Sequence, residues 1–250
     1  MAADGTIRTG VARARVPAAF EPAVTAALDA VGAVAGASAY LYGSVATGRA
    51  RLGESDVDLL TVGLDRAAAQ RLGRELSARF PGVCRGVELA PVGPGDLLGN
   101  SDEAYGNRVF LRHYAVHLTG PDVAAVLPAY PADARAARGF NGDIARHADR
   151  WRVALDAGED AWRLGRRVAR KTLLALAGVV SVHDATWTTD RGLAARRWGA
   201  VEPALAPGLR TLLDWSDGRV RPEAPAVRAA LDTSVAEVSS AFATLVGLWA

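Results

Sequence analysis

The feature that most constrains this chain is an abrupt break in a short apolar run. Residues 37–42 are apolar and then stop at Gly43 and Ser44, and the segment Glu54-Ser55-Asp56-Val57-Asp58 follows soon after. Such a run closed by Gly-Ser reads as a strand ending in a tight turn. Glycine lets the backbone bend sharply and come close to a ligand. Ser44 adds a hydroxyl and an amide at the start of what reads as a helix, an arrangement suited to phosphate oxygens. Asp56 and Asp58 flank the start of a second strand, residues 57–62. Period-two alternation points both carboxylates to one side. Two carboxylates aimed at one point repel unless a cation sits between them, and an oxygen-only ligand set suits Mg²⁺.

A third strand is expected over residues 86–92, where Glu88 is the lone carboxylate in an otherwise apolar run. A buried charge there is costly unless it is paired or used. With the third strand beside the second, Glu88 faces the same cleft as the aspartates.

The periodicity elsewhere sorts the chain into two halves. Residues 17–35 carry Phe20, Val24, Leu28 and Val31 on one helical face, and Asp65 reads as the N-cap of a helix ending near Phe80. Residues 93–106 are turn-rich and read as a loop broken by a short helix, while 108–118 is ambiguous between helix and strand. Gly120, Pro121 and Asp122 form a break, and strand signals vanish beyond it. Helices are expected over 133–156, 160–182, 190–200, 203–216 and 223–249. The chain therefore reads as an α/β N-terminal half over residues 1–125, then an all-helical domain over 126–250.

Composition narrows the function classes. There are 29 Lys and Arg against 27 Asp and Glu, a net charge of only +2, which is not the basic field of a dedicated nucleic-acid binder. Cys84 is the single cysteine, so an intrachain disulfide and a cysteine-based zinc site are both excluded. The N-terminal residues lack a signal-peptide pattern, and the most apolar later stretch, 173–182, is about half of the roughly 20 residues a membrane span needs. The expectation is a cytoplasmic protein with no membrane segment.

Gly43, Ser44, Gly48, Ser55, Asp56, Asp58 and Glu88 together resemble the signature of the DNA polymerase β-type nucleotidyltransferase superfamily. Within it the plan is similar to the streptomycin/spectinomycin-type aminoglycoside O-adenylyltransferases, most specifically over residues 37–92. The resemblance implies AMP transfer from ATP to a hydroxyl of a small acceptor, an aminoglycoside or aminocyclitol, with pyrophosphate leaving. It implies that Asp56 and Asp58 hold Mg²⁺, that Glu88 is the base and also touches a second metal, and that Gly43, Ser44 and Ser55 seat the nucleotide. It also implies an α+β fold class, a small mixed sheet with helices followed by an all-helical domain, and that the helical domain closes the substrate cleft. A helical-domain lysine contacts phosphates in such relatives; here Arg191 stands near that place, and Arg differs from Lys in geometry.

Weaker candidates accompany this set. Lys171, the only lysine in the chain, is a second candidate for the triphosphate, against the plainer reading of a solvated basic helix face. Asp102, Glu103, Asp184 and Trp187 are candidates for acceptor binding, against an ordinary polar loop and an interdomain filler. His113 and His117 read as structural, and Trp151, Trp162, Trp198 and Trp215 as core or interface. Two alternatives to a small acceptor stay open: a tRNA end or protein side chain, favoured if Arg135, Arg138, Arg163, Arg166 and Arg167 share one face, and a non-catalytic nucleotide-binding remnant. The oligomeric state is left between monomer and homodimer.

Overall fold

The computed structural model describes residues 1–249. The chain divides into two compact units: Ile7–Tyr130, and Met1–Thr6 together with the residues from Pro131 onward.

The first unit is built on β1 (Ser38–Tyr42), β2 (Val57–Val62), β3 (Val87–Val92) and β4 (Val116–Thr119), in the order β3-β2-β1-β4. β1 pairs antiparallel with β2 and β4, and β2 pairs parallel with β3, so the sheet is mixed. Its helices are α1 (Glu21–Gly32), α2 (Gly43–Ala46), α3 (Arg66–Arg79), α4 (Pro94–Leu97) and α5 (Asp102–Tyr114). Alternation along the strands divides the buried side chains between two faces. Leu41, Val57 and Leu59 pack with Phe20 just before α1, Val24 of α1 and Leu76 of α3. Tyr40 and Leu60 point the other way, against Leu111 of α5 and Ala124. Each such aliphatic side chain contributes about 1.5–3 kcal/mol by leaving water.

α3 starts where its cap requires: the Asp65 side chain accepts the Ala68 N–H at 2.7 Å. α1 is shorter than the periodicity of 17–35 implies, because 3₁₀ turns at Arg13–Arg15 and Ala18–Phe20 precede it. The ambiguous stretch 108–118 is both things in turn. α5 runs to Tyr114, Ala115 is extended, and β4 follows, added to the sheet by pairing with β1. β4 is a short edge strand, and the alternation of Val116-His117-Leu118-Thr119 spans only four residues directly after the helix.

The other unit is helical: α6 (Ala134–Asn141), α7 (Ile144–Asp156), α8 (Ala161–His183), α9 (Arg191–Val201), α10 (Ala206–Asp217), α11 (Ala224–Asp232) and α12 (Ser234–Leu245). α8 is its central rod, burying Leu164, Val168, Leu173, Leu176 and Val180 among its neighbours. Gly178 lets α6 and α12 approach this rod, since a Cβ there would lie 3.3 Å from both Ala137 and Phe242. The expected helix over 133–156 is broken at Gly142 and Asp143, and that over 223–249 at Thr233. Trp151, Trp198 and Trp215 are buried as expected. Trp162 is only partly covered, between the guanidiniums of Arg166 (5.2 Å) and Arg221 (6.0 Å). Residues 1–6 join this unit through the Ala132 N–H to Gly5 carbonyl bond at 2.9 Å and a bridge between Thr6 and Pro131. No described helix is long and apolar enough to cross a membrane.

Candidate active site

Strand register brings the sequence candidates together. Tyr42 on β1 lies opposite Asp58 on β2, and Asp58 lies beside Glu88 on β3. The three form a row across the sheet, and Asp56, two residues before Asp58, shares their side by alternation. Gly43 follows Tyr42 with φ +74°, a left-handed conformation that favours glycine. A Cβ on Gly43 would collide with the Asp58 carboxylate. The glycine therefore serves the turn and also lets the main chain lie directly against that carboxylate. Ser44 follows it in α2.

The charges in this row are stressed. The Asp58 pKa is pushed up to about 7, first by burial and then by the carboxylates of Asp56 and Glu88, with Arg85 opposing. Tyr42 is pushed up to about 12, first by burial and then by the same three carboxylates. Among the described residues, no side chain donates a hydrogen bond to Asp58 or Glu88. Asp56 differs, because Arg85 takes both of its oxygens. The Arg85 Nε lies 3.1 Å from Oδ1, and Nη2 donates to Oδ2.

Glu88 departs from expectation in one respect: it is exposed, not buried. β3 is an edge strand, as its Pro91 also indicates, so its outward positions are open to water. Burial thus does not explain this carboxylate; its place beside Asp58 does.

These residues fit a divalent cation. The donors are all oxygen, burial and two like charges disfavour the ionised Asp58 carboxylate until a positive charge offsets them, and Asp56 has already drawn a cationic group. Among the described residues, no group of three His, Cys, Asp or Glu side chains is placed to hold one ion. The fit is to the aspartate pair. That suits Mg²⁺, which is commonly bound through one or two carboxylates plus phosphates and water.

The remaining candidates are placed as follows. The Ser55 hydroxyl accepts the Arg51 N–H at 2.9 Å and so closes the loop that leads into β2. Asp102 and Glu103 lie in the first turn of α5, not in a loop, capped by Ser101. Carboxylates there offset the helix dipole. Lys171 is not a solvated face residue: its ammonium lies 2.7 Å from Asp143 and 3.1 Å from the Phe140 carbonyl. Arg191 opens α9, 3.8 Å from Asp217. Asp184 caps the end of α8 and pairs with His183 (2.8 Å) and Arg197 (3.1 Å). Trp187 packs on the helical core, its ring 6.3 Å from that of Phe140. His113 and His117 bond main-chain groups, the Tyr130 N–H at 2.8 Å and the Gly120 carbonyl at 2.9 Å.

The five arginines that would favour a tRNA acceptor do not form one helical face. Arg135 and Arg138 are on α6, the other three on α8. Arg138 donates to the Val246 carbonyl, Arg166 stacks on Trp162, and Arg167 pairs with Glu159. Two residues of the site carry no sequence signal that singles them out. Tyr42 enters through strand register, and Arg85 is a cation just ahead of the strand that bears Glu88.

The site is thus a parallel β2–β3 pair with carboxylates at its head and a Gly-Ser turn against one of them. Residues 26–129 match the family model for the nucleotidyltransferase domain. That stretch contains every member of the row and supports the polymerase β-like superfamily, and with it an enzyme of transferase type. No curated protein matches the chain significantly.

Proposed function

We propose that this chain transfers a nucleoside monophosphate, AMP from ATP, to a hydroxyl of a small acceptor of the aminoglycoside or aminocyclitol class. The observation that carries the chemistry is the row Tyr42–Asp58–Glu88, with Asp56 at its side and Gly43 against Asp58. The choice of adenine and of acceptor class rests on the resemblance of residues 37–92 to the streptomycin/spectinomycin-type enzymes.

Asp56 and Asp58 hold Mg²⁺. When bound, the ion supplies positive charge that neutralises the triphosphate during in-line displacement. Gly43 and Ser44 offer main-chain and hydroxyl groups to the phosphates. Glu88, exposed beside Asp58, accepts the proton of the acceptor hydroxyl. As that oxygen bonds to the α-phosphorus, the bond to the β-phosphate oxygen breaks and pyrophosphate leaves. Asp102 and Glu103 are the candidates for the ammonium groups of a cationic acceptor; Asp184 is a further acceptor-binding candidate, and Trp187 a candidate for packing on a sugar or cyclitol ring.

The test is pyrophosphate release from Mg²⁺-ATP across a panel of aminoglycosides and aminocyclitols, with Glu88→Gln and an EDTA-treated sample alongside. Acceptor-dependent release, lost in both controls, is the expected result. Release that survives Glu88→Gln would remove Glu88 from the proton transfer. No release with any member would remove the acceptor class.

A further inference from the structure

Asp56 is well shielded and its shield is not. Its side chain is 12% exposed, whereas the Arg85 side chain lying over it is 56% exposed. One guanidinium occupies both oxygens in the fork-to-fork manner of a bidentate pair. The Arg85 main chain is fixed separately, its N–H donating to the Ser55 carbonyl at 3.0 Å. The side chain can therefore leave the carboxylate without disturbing the strand that follows.

We propose that Arg85 is the resident counter-ion of the aspartate pair, seated on Asp56 while no divalent cation is bound and displaced when one binds. The proposal rests on the reading of Asp56 and Asp58 as metal ligands. Without Arg85, the carboxylates of Asp56, Asp58 and Glu88 stand in one row with no compensating charge. Arg85 relieves that repulsion in the metal-free chain, which is why Asp56 is paired and Asp58, deeper in the row, is not. The same pairing opposes metal entry, because a divalent cation drawn to Asp56 meets a like charge a few ångströms away, in a partly buried setting where screening is reduced. Arg85 is on this account a positioning and gating residue, acting through Asp56 and not on the reacting atoms.

The experiment is a Mn²⁺ titration of the full chain without nucleotide, followed by calorimetry, at a pH where Asp58 is ionised. The parent is compared with Arg85→Gln, Arg85→Lys and Asp58→Asn. Arg85→Gln is expected to bind Mn²⁺ roughly three- to ten-fold more tightly, the range for releasing one partly exposed bidentate pair. Arg85→Lys keeps the charge without the fork and falls between. The metal-free melting temperature of Arg85→Gln is expected below that of the parent, and Mn²⁺ is expected to raise it by a larger increment. Equal or weaker Mn²⁺ binding by Arg85→Gln, with binding lost in Asp58→Asn, would overturn the counter-ion role and leave the metal site standing. Absence of Mn²⁺ binding in both the parent and Arg85→Gln would overturn both.

Discussion

Asp58 carries the heaviest electrostatic load of any residue in the row. Its pKa is pushed up to about 7 from the ordinary 3.8 of an aspartate, so the folded state holds the proton more tightly than the unfolded one. The associated stabilisation is fully present below the unfolded pKa and is lost as pH rises through the folded one. In EDTA, the stability of Asp58→Asn relative to the parent should therefore increase from about pH 4 to about pH 7 and level off above it, as read by urea unfolding at a series of pH values. A difference that does not change with pH would mean the charge is not stressed. Lys171 invites a second test. Its partner Asp143 is only 13% exposed, so removing the lysine leaves a mostly buried carboxylate with, among the described residues, only His147, 3.0 Å from its other oxygen. Lys171→Met should lower stability by about 2 kcal/mol in urea titrations, with Lys171→Met/Asp143→Asn recovering part of the loss. If Lys171 instead serves the triphosphate, ATP binding falls while stability holds. The common side of Asp56 and Asp58 was legible because alternation is a local property of the chain. The partners of Lys171 and Arg85 were not, since Asp143 and Asp56 lie 28 and 29 positions away in sequence.

Elements read well where their ends are marked by caps and poorly where packing decides. Asp65 and the Pro81-Gly82 stop frame α3 within a residue or so of expectation. The continuous helical pattern over 133–156 hides a break, because the break is a matter of fit. A Cβ on Gly142 would lie 2.7 Å from the Arg138 carbonyl and overlap the Trp249 ring, whose own Nε1 donates to that carbonyl at 2.7 Å. Gly142→Ala should cost about 1–3 kcal/mol in thermal or urea unfolding and alter tryptophan emission, although alanine is the better helix former. A stabilised variant would show that propensity, not packing, governs this corner. β4 is the converse case, a strand made by its neighbour: the four residues Val116–Thr119 become extended because β1 offers a free edge.

At the scale of the whole molecule, charge is dispersed. Arg13, Arg51, Arg85, Arg152, Arg167, Arg197, Arg219 and Arg228 are each paired with a carboxylate, and the net charge is +2. Such a surface releases few counterions from a polyanion. Accordingly tRNA should not be retained in gel shifts at physiological salt; tight, salt-sensitive retention would restore a nucleic-acid acceptor. By itself the sequence determined a strand-bearing half followed by a helical region, the Gly-Ser turn, and the carboxylate set Asp56, Asp58 and Glu88. All of these are written in periodicity, turn chemistry and the expense of like charges held close together. Only the tertiary structure decided that Glu88 is exposed on an edge strand, that Tyr42 completes its row, and that Arg85 covers Asp56. Those facts depend on strand order and register, which are set by how the two faces of the sheet are buried and not by any residue's immediate neighbours in the chain.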